Sequence, residues 1–295
     1  MNEQTIYALG FFDGVHLGHQ ALLKACRELA DLHGCKAGAV TFASHPQAVL
    51  SGDAPPLINT NGDKTDLLCF YGMDTVLELP FDKTTQTTHW SSFLQQLMAG
   101  GAAGFVCGSD FRFGAGGLGT AKKLTAFCQK RKLPCEIVPQ QELEGIRVSS
   151  THIRALLEQG DMAGAIRFLG HPHILTGTVE KGKQIGRTIG FPTANISYPA
   201  GLVALKKGVY ACKVWADGKA YDAVTNIGTR PTVNGKNVNG EAFLLDFHGD
   251  LYGKTVKIAF YQFLRPEEKF STLEELQREI QKNALQTRKF FEKSE

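Results

Sequence analysis

Ile6-Tyr7-Ala8-Leu9-Gly10-Phe11-Phe12-Asp13-Gly14-Val15-His16-Leu17-Gly18-His19 carries three signals in one short stretch. The apolar run at 6–9 suits a buried strand, the glycines at 10 and 14 open a turn, and a helical pattern runs from about Gly18 to Leu32. A strand that passes through a glycine turn into a helix is the opening unit of a parallel α/β sheet. His16 and His19 bracket a glycine where the helix begins. The N–H groups of a helix N-terminus attract anions, and two imidazoles there can donate to a phosphate in its transition state. A lone histidine in such a place is most often structural, whereas the His-x-Gly-His spacing at a strand–helix turn is far more specific.

The alternation continues outward from this unit. Apolar runs at 37–42, 75–79, 104–107 and 136–138 read as strands. Helical patterns at 19–32, 63–71, 90–98, 121–130 and 151–158 separate or follow them. This predicts a Rossmann-like parallel sheet with right-handed crossovers. Ligands in such sheets sit at the carboxyl ends of strands. His16 follows the first strand, and Asp110 and Arg112 follow the fourth, so both loops open at one edge.

After a short helix near 161–168 the pattern changes. Short strands at 174–179, 208–215, 219–226, 242–247 and 255–263 are punctuated by turns such as Asp217-Gly218. This predicts a small antiparallel β-barrel. A terminal amphipathic helix over 272–292 is expected, with Leu273, Leu276 and Ile280 on one face. The expected domains are 1–170 and 171–295.

Composition narrows the function classes. The chain has 295 residues, 43% hydrophobic and 21% charged, as expected of a globular two-domain protein. No apolar run approaches the ~20 residues of a membrane span, and no signal peptide is expected. A net charge of +3 without a Lys/Arg block argues against a large nucleic-acid footprint. Seven cysteines without a C-x-x-C pair fit reduced thiols in the cytoplasm.

Several constellations carry candidate chemistry. Gly182, Gly186, Arg187 and Thr188 precede Gly190-Phe191-Pro192-Thr193-Ala194-Asn195. Glycines let backbone N–H groups approach an anion, Arg187 can neutralise a phosphate, and Thr193 and Asn195 point the same way on an extended segment. Two neutral oxygen ligands together with phosphates suit Mg²⁺. A plain Gly-rich hairpin fits the same spacing. Ser149, Ser150, Thr151 and Arg154 open a helix and read either as an N-cap cluster or as a triphosphate site. Asp110, Phe111, Arg112 and Phe113 suit either stacking on a planar ring or a salt-bridged loop. Gly114, Gly116 and Gly119 match G-x-G-x-x-G but come too late after their strand for a dinucleotide turn. His171 and His173 have no third metal ligand at a suitable spacing. Glu241 reads as a strand-end surface residue, or as a general base if a phosphate lies near.

Taken together, the chain resembles the bacterial bifunctional riboflavin kinase/FAD synthetase family over nearly its whole length. The N-terminal half matches through residues 10–19, Thr41-Phe42 with His45-Pro46, 108–114 and 149–154. The C-terminal half matches through 182–195, Asn226-Ile227-Gly228 with Pro231-Thr232, 241–247, Leu251-Tyr252-Gly253 and 265–270. The resemblance implies phosphorylation of riboflavin to FMN by ATP, then adenylylation of FMN to FAD with release of pyrophosphate. It implies that Thr193 and Asn195 hold Mg²⁺ with ATP, that Gly182, Arg187 and Tyr252 border the nucleotide, and that Glu241 is the base. Arg265, Glu268 and Phe270 are implied on the flavin side. In the other domain it implies ATP binding by Gly10, Phe12, Asp13, Gly14, Ser149, Ser150, Thr151 and Arg154. His16 and His19 are implied in charge stabilisation, with Asp110 and Arg112 on the flavin side. The implied partners are the small molecules riboflavin, FMN and ATP, with no nucleic acid and no membrane; a homo-oligomer is compatible with the sequence.

The chain departs from the family pattern at His171, Lys207, Gly240, Asn283 and over 60–64. Gly240 precedes the expected base and bears on kinase efficiency. Competing readings are a chain with one vestigial activity, a flavin-binding regulator acting on RNA, and an adenylyltransferase for a pantetheine or nicotinate compound. The intact motif sets, the lack of a basic stripe and the barrel argue against these in turn.

Overall fold

The computed structural model describes residues 4–50, 52–181, 191–232 and 235–293. They form two compact units, Met1–Leu57 with Lys64–Ser150, and Ile58–Asp63 with Thr151–Glu295.

The first unit is built on five strands: β1 (Thr5–Leu9), β2 (Lys36–Phe42), β3 (Thr75–Leu79), β4 (Ala102–Gly108) and β5 (Cys135–Val138). Their order is β3-β2-β1-β4-β5, and every pairing is parallel. All five residues of β1 are buried, as expected of a central parallel strand covered on both faces. The chain leaves β1 toward β2 on one side and returns to β4 on the other. The carboxyl end of β1 is therefore the switch point of the sheet, where α/β folds place ligands.

The helices of this region are α1 (Leu17–Leu32), α2 (Pro46–Leu50), α3 (Asn61–Phe70), α4 (Lys83–Thr87), α5 (Trp90–Ala99) and α6 (Ala121–Arg131). Phe93, Leu94 and Leu97 of α5 and Leu124, Phe127 and Cys128 of α6 pack with Phe105 and Cys107 of β4 in one core. The sequence pattern missed α2 and α4 because single helical turns have no amphipathic repeat. α4 is held instead by its cap, Asp82, whose carboxylate accepts from Thr85 N at 2.8 Å. The G-x-G-x-x-G run lies between two-residue strands at Arg112–Phe113 and Gly119–Thr120, not at a strand-to-helix turn. A side chain at Gly114, φ 70°, would come within 2.5 Å of the Trp90 backbone.

The second unit takes up α7 (Ser150–Gln159) from Thr151 onward, followed by α8 (Met162–Leu169). Six antiparallel strands follow: β6 (His173–Thr178), β7 (Thr193–Ser197), β8 (Gly208–Ala216), β9 (Lys219–Thr232), β10 (Gly235–Leu244) and β11 (Thr255–Arg265). Their order is β6-β11-β8-β9-β10-β7. A bridge between Glu180, just past β6, and Asn195 in β7 joins the two edges and curls the sheet into the expected barrel form. Tyr210, Phe260 and Val214 fill its interior. α8 packs Met162, Ala165, Phe168 and Leu169 inward and lies against β6 and β11. The short segment 58–63 also belongs here, with Asp63 Oδ2 accepting from Thr176 N at 3.3 Å.

The terminal helix is α9 (Leu273–Glu292). It starts at a capping box formed by Thr272 and Glu275, as the sequence suggests. Leu273, however, is 53% exposed, because it sits in the first turn. Its buried residues are Asn283, Thr287 and Phe291, so polar side chains share the seam.

His173 in β6 is fully buried beside Phe260, and neither ring nitrogen has a hydrogen-bond partner among the described residues. Burial, helped by His171, pushes its pKa down to about 3. The unfolded chain takes up this proton near pH 6.5 and the folded chain does not. The stability contributed by neutral His173 is thus complete above pH 6.5 and lost as pH falls toward 3, by about 1.4 kcal/mol per unit. Urea unfolding at pH 7 and pH 5 should show a smaller acid loss for His173→Phe than for the parent chain. Equal losses would mean that His173 is not buried in its neutral form.

Candidate active sites

The turn after β1 is strained. Phe12 and Val15 have φ of 58° and 39°, and Gly14 has 83°. Left-handed backbone costs a non-glycine residue roughly 1–2 kcal/mol, so neighbours must hold it. Three side chains do so: Thr41 Oγ1 donates to Phe11 O at 2.8 Å, Gln20 Nε2 to Val15 O at 2.9 Å, and Ser150 Oγ to Asp13 O at 2.9 Å. Gly10 is required by space, since a Cβ there would meet the Phe12 ring at 2.9 Å. Phe12 is fully buried and Asp13 only 4% exposed.

The turn delivers the two histidines as a pair. His16 caps α1, its Nδ1 accepting from His19 N at 3.3 Å. That acceptor role leaves the proton of a neutral His16 ring on Nε2. The two rings stack at 3.6 Å with 13° between planes. Burial drives the His19 pKa well below its usual value, and His16 adds to this. His19 is therefore a neutral imidazole at physiological pH, able to donate a hydrogen bond without being a cation.

The other expected residues of this half are placed as follows. Ser150 joins the turn through Asp13, while Thr151 and Arg154 lie on α7 within the second unit. Asp110 is ion-paired with Arg147 at 2.6 Å, both about half exposed. Arg112 is exposed beside Phe111 and Phe113, whose rings stack at 5.8 Å. Sequence reasoning missed Gln20 and Arg147, whose residue types carry no signal outside the fold.

In the second unit, register creates a row of polar side chains. Asn195 of β7, Glu241 of β10 and Asn226 of β9 are direct partners across three strands. Direct partners share a face, so Thr193 and Phe243, two residues along, lie on it too. Glu241 is inside β10, not at the strand start expected from sequence, because the polar residues from 235 onward conceal the first half of that strand. Asn195 is 5% exposed, and its Oδ1 accepts from Asn239 Nδ2 at 3.2 Å.

Two cavities meet at this row. One, about 370 Å³, is lined by Thr193, Asn195, Phe247, His248, Asp250 and Tyr252 among others. The second, about 290 Å³, is lined by Thr193, Glu241, Arg265, Glu268, Phe270 and Asn283 among others. Thr193 belongs to both. Arg265 does not face the second cavity alone. Its Nε lies 3.2 Å from both Glu279 Oε1 and Asn283 Oδ1, and its guanidinium lies over the Phe270 ring at 5.5 Å. Glu279 thus supplies an acidic group one turn before Asn283 on the terminal helix. Gly182 and Arg187 lie outside the described residues.

The glycine before Glu241 has room for a side chain. A Cβ at Gly240 would meet Ile227 Cδ1 at 3.5 Å and Ile196 O at 3.8 Å, ordinary contacts. Gly240→Ala should therefore stabilise the strand by about 0.5–1 kcal/mol, read as a higher melting temperature. A lower one would show that the strand needs glycine there.

Comparison with known proteins agrees with this division. A family model described as FAD synthetase matches residues 1–152, and one described as riboflavin kinase matches residues 169–291. Proteins named bifunctional riboflavin kinase/FMN adenylyltransferase from Listeria monocytogenes and Escherichia coli K12 are both 36% identical to the chain, and one from Bacillus subtilis is 34% identical. Each alignment covers 98% of this chain and 93% of the relative. A crystal structure from Streptococcus pneumoniae, described as a macrolide-efflux protein, matches with TM-score 0.86 and 28% identity over 98% of this chain and 95% of that one. No helix among the described residues is long and apolar enough to cross a membrane.

Proposed function

This chain belongs to the bifunctional riboflavin kinase/FMN adenylyltransferase family, and we propose that its two reactions run at the two sites just described. In the barrel, ATP occupies the cavity beside Tyr252 and riboflavin the one beside Arg265, Glu268 and Phe270. The observation that carries this is Thr193, which lines both cavities and so stands where a phosphoryl group would pass. Glu241 takes the ribityl hydroxyl proton as the oxygen attacks the γ-phosphorus of ATP, giving FMN and ADP. Gly182 and Arg187 are assigned to the phosphates by resemblance.

The donor set of Thr193 hydroxyl and Asn195 Oδ1 fits a hard cation shared with phosphate oxygens. The amide oxygen is already oriented by Asn239. We assign these two residues to Mg²⁺, which when bound supplies charge neutralisation on the phosphates. The protein's own part is to hold the two reactants in line and accept the proton.

At the turn after β1, a second ATP reacts with FMN. The FMN phosphate attacks the α-phosphorus and pyrophosphate leaves. His16 and His19 donate to the phosphate oxygens as charge builds, and the turn from Gly10 to Gly14 cradles them. Ser149, Ser150, Thr151 and Arg154 are assigned to the triphosphate, and Asp110 and Arg112 to the flavin side. Seven unbridged cysteines fit a cytoplasmic enzyme, and small molecules are its expected partners.

Two variants separate the reactions. Glu241→Gln should lose roughly 10²–10⁴-fold in FMN formation while still converting supplied FMN to FAD. His16→Asn keeps a helix-capping oxygen but no imidazole, and should lower FAD formation by about 10²–10³-fold while FMN accumulates. Kinase activity retained in Glu241→Gln removes it as the base.

We place the functional boundary at 170/171, giving domains 1–170 and 171–295, although the long run of the second compact unit begins at Thr151 and residues 58–63 join it. A fragment 151–295 should make FMN and stop there. Fragment 171–295 should do the same with a lower melting temperature, because it lacks the four buried side chains of α8. A folded 151–295 fragment without kinase activity contradicts the assignment.

A further inference from the structure

Lys64 has no place in the chemistry above, yet it is 3% exposed. Its Nζ donates to Phe42 O at 2.8 Å, at the carboxyl end of β2, and lies 5.0 Å from the centroid of the Phe11 ring. The carboxylates that act on it are Asp13, in the turn after β1, and Glu78, in β3. Burial lowers its pKa and these two carboxylates raise it. Asp13 is as buried as Lys64, while Glu78 is exposed.

We propose that Lys64 is a positioning residue for adenylyl transfer, a buried ammonium that fixes the strained turn carrying His16. The inference rests on the reading of that turn as the adenylyl-transfer site. Thr41, Gln20 and Ser150 hold backbone carbonyls of the turn. Lys64 acts on its side chains, through the face of Phe11 and the charge of Asp13, so none of the other three replaces it. The end of β2 is a firm base for this contact, because Gly10 N also donates to Val40 O at 3.2 Å. Removing the ammonium takes the cation from the Phe11 ring and weakens the positive charge felt by the buried Asp13 carboxylate, a change that the turn relieves by moving. Movement of Asp13 displaces Gly14, Val15 and the capping His16 in turn.

The test uses the full-length chain, measuring FAD formation from FMN and ATP alongside FMN formation from riboflavin. Lys64→Met should lower kcat for FAD formation by about 10- to 100-fold, with KM for ATP and FMN nearly unchanged and the kinase reaction intact. Lys64→Arg restores the charge and should recover most of the loss. A Lys64→Met variant with parental kcat overturns the proposal, as does one that changes only KM. Equal loss of both reactions overturns it in favour of a folding role, and failure of Arg to rescue overturns the assignment to charge. If Lys64→Met does not fold, Lys64→Gln is judged by the same criteria. His16→Asn run in parallel separates the two layers: if it too is fully active, the site itself has been misplaced; if it alone is impaired, only the role of Lys64 fails.

Discussion

The left-handed backbone at Phe12 and Val15 is the constraint on which the first unit turns. A chain leaving a central parallel strand would ordinarily relax into a glycine-rich loop. Here two bulky residues hold unfavourable dihedrals, and the fold surrounds them with hydrogen bonds from β2, α1 and the start of α7. The strain has a use. It brings the N-terminus of α1 and a stacked histidine pair to the switch point of the sheet. Phosphate chemistry of this kind gains from donors that are already in place as charge develops.

The barrel solves a different problem by different means. Its two cavities share a wall at Thr193, and strand register provides this without strain. Asn195, Glu241 and Asn226 fall in one row because three antiparallel strands keep their alignment. Thr193 falls on the same face two residues away. The polar row is held by neighbours: Asn239 fixes the Asn195 amide, and the Arg265–Glu279–Asn283 network ties the wall of the second cavity to α9.

What the sequence made legible follows from burial. β1, β2 and β4 were readable because both faces are covered, which leaves near-continuous apolar runs, and the half-exposed edge strands β3 and β5 still keep short apolar runs. The His-x-Gly-His turn was readable because its residue types are rare in combination. β7 and the first half of β10 were not readable as strands: Thr193, Asn195 and Ser197 alternate with apolar residues, but glycine and asparagine surround both segments. Leu273 stays exposed because the helix pattern says which residues share a face, not where the helix first meets the sheet. Lys64 and Arg147 looked like any surface cation, since only the tertiary fold shows that one is buried and the other paired. The catalytic and binding roles came from resemblance; the geometry adds how His16, Ser150, Asn195 and Arg265 are held.

The central claim is that one chain runs two phosphorus transfers in sequence, and labelled ATP follows both. Riboflavin and Mg²⁺ are incubated with the protein and ATP labelled at either the γ- or the α-phosphorus, and the flavins are separated over time. FMN should appear first, carrying γ-label only. FAD should follow, carrying γ-label from the first ATP and α-label from the second. A chain that leaves riboflavin unlabelled, or accumulates FMN without ever transferring α-label, contradicts the account.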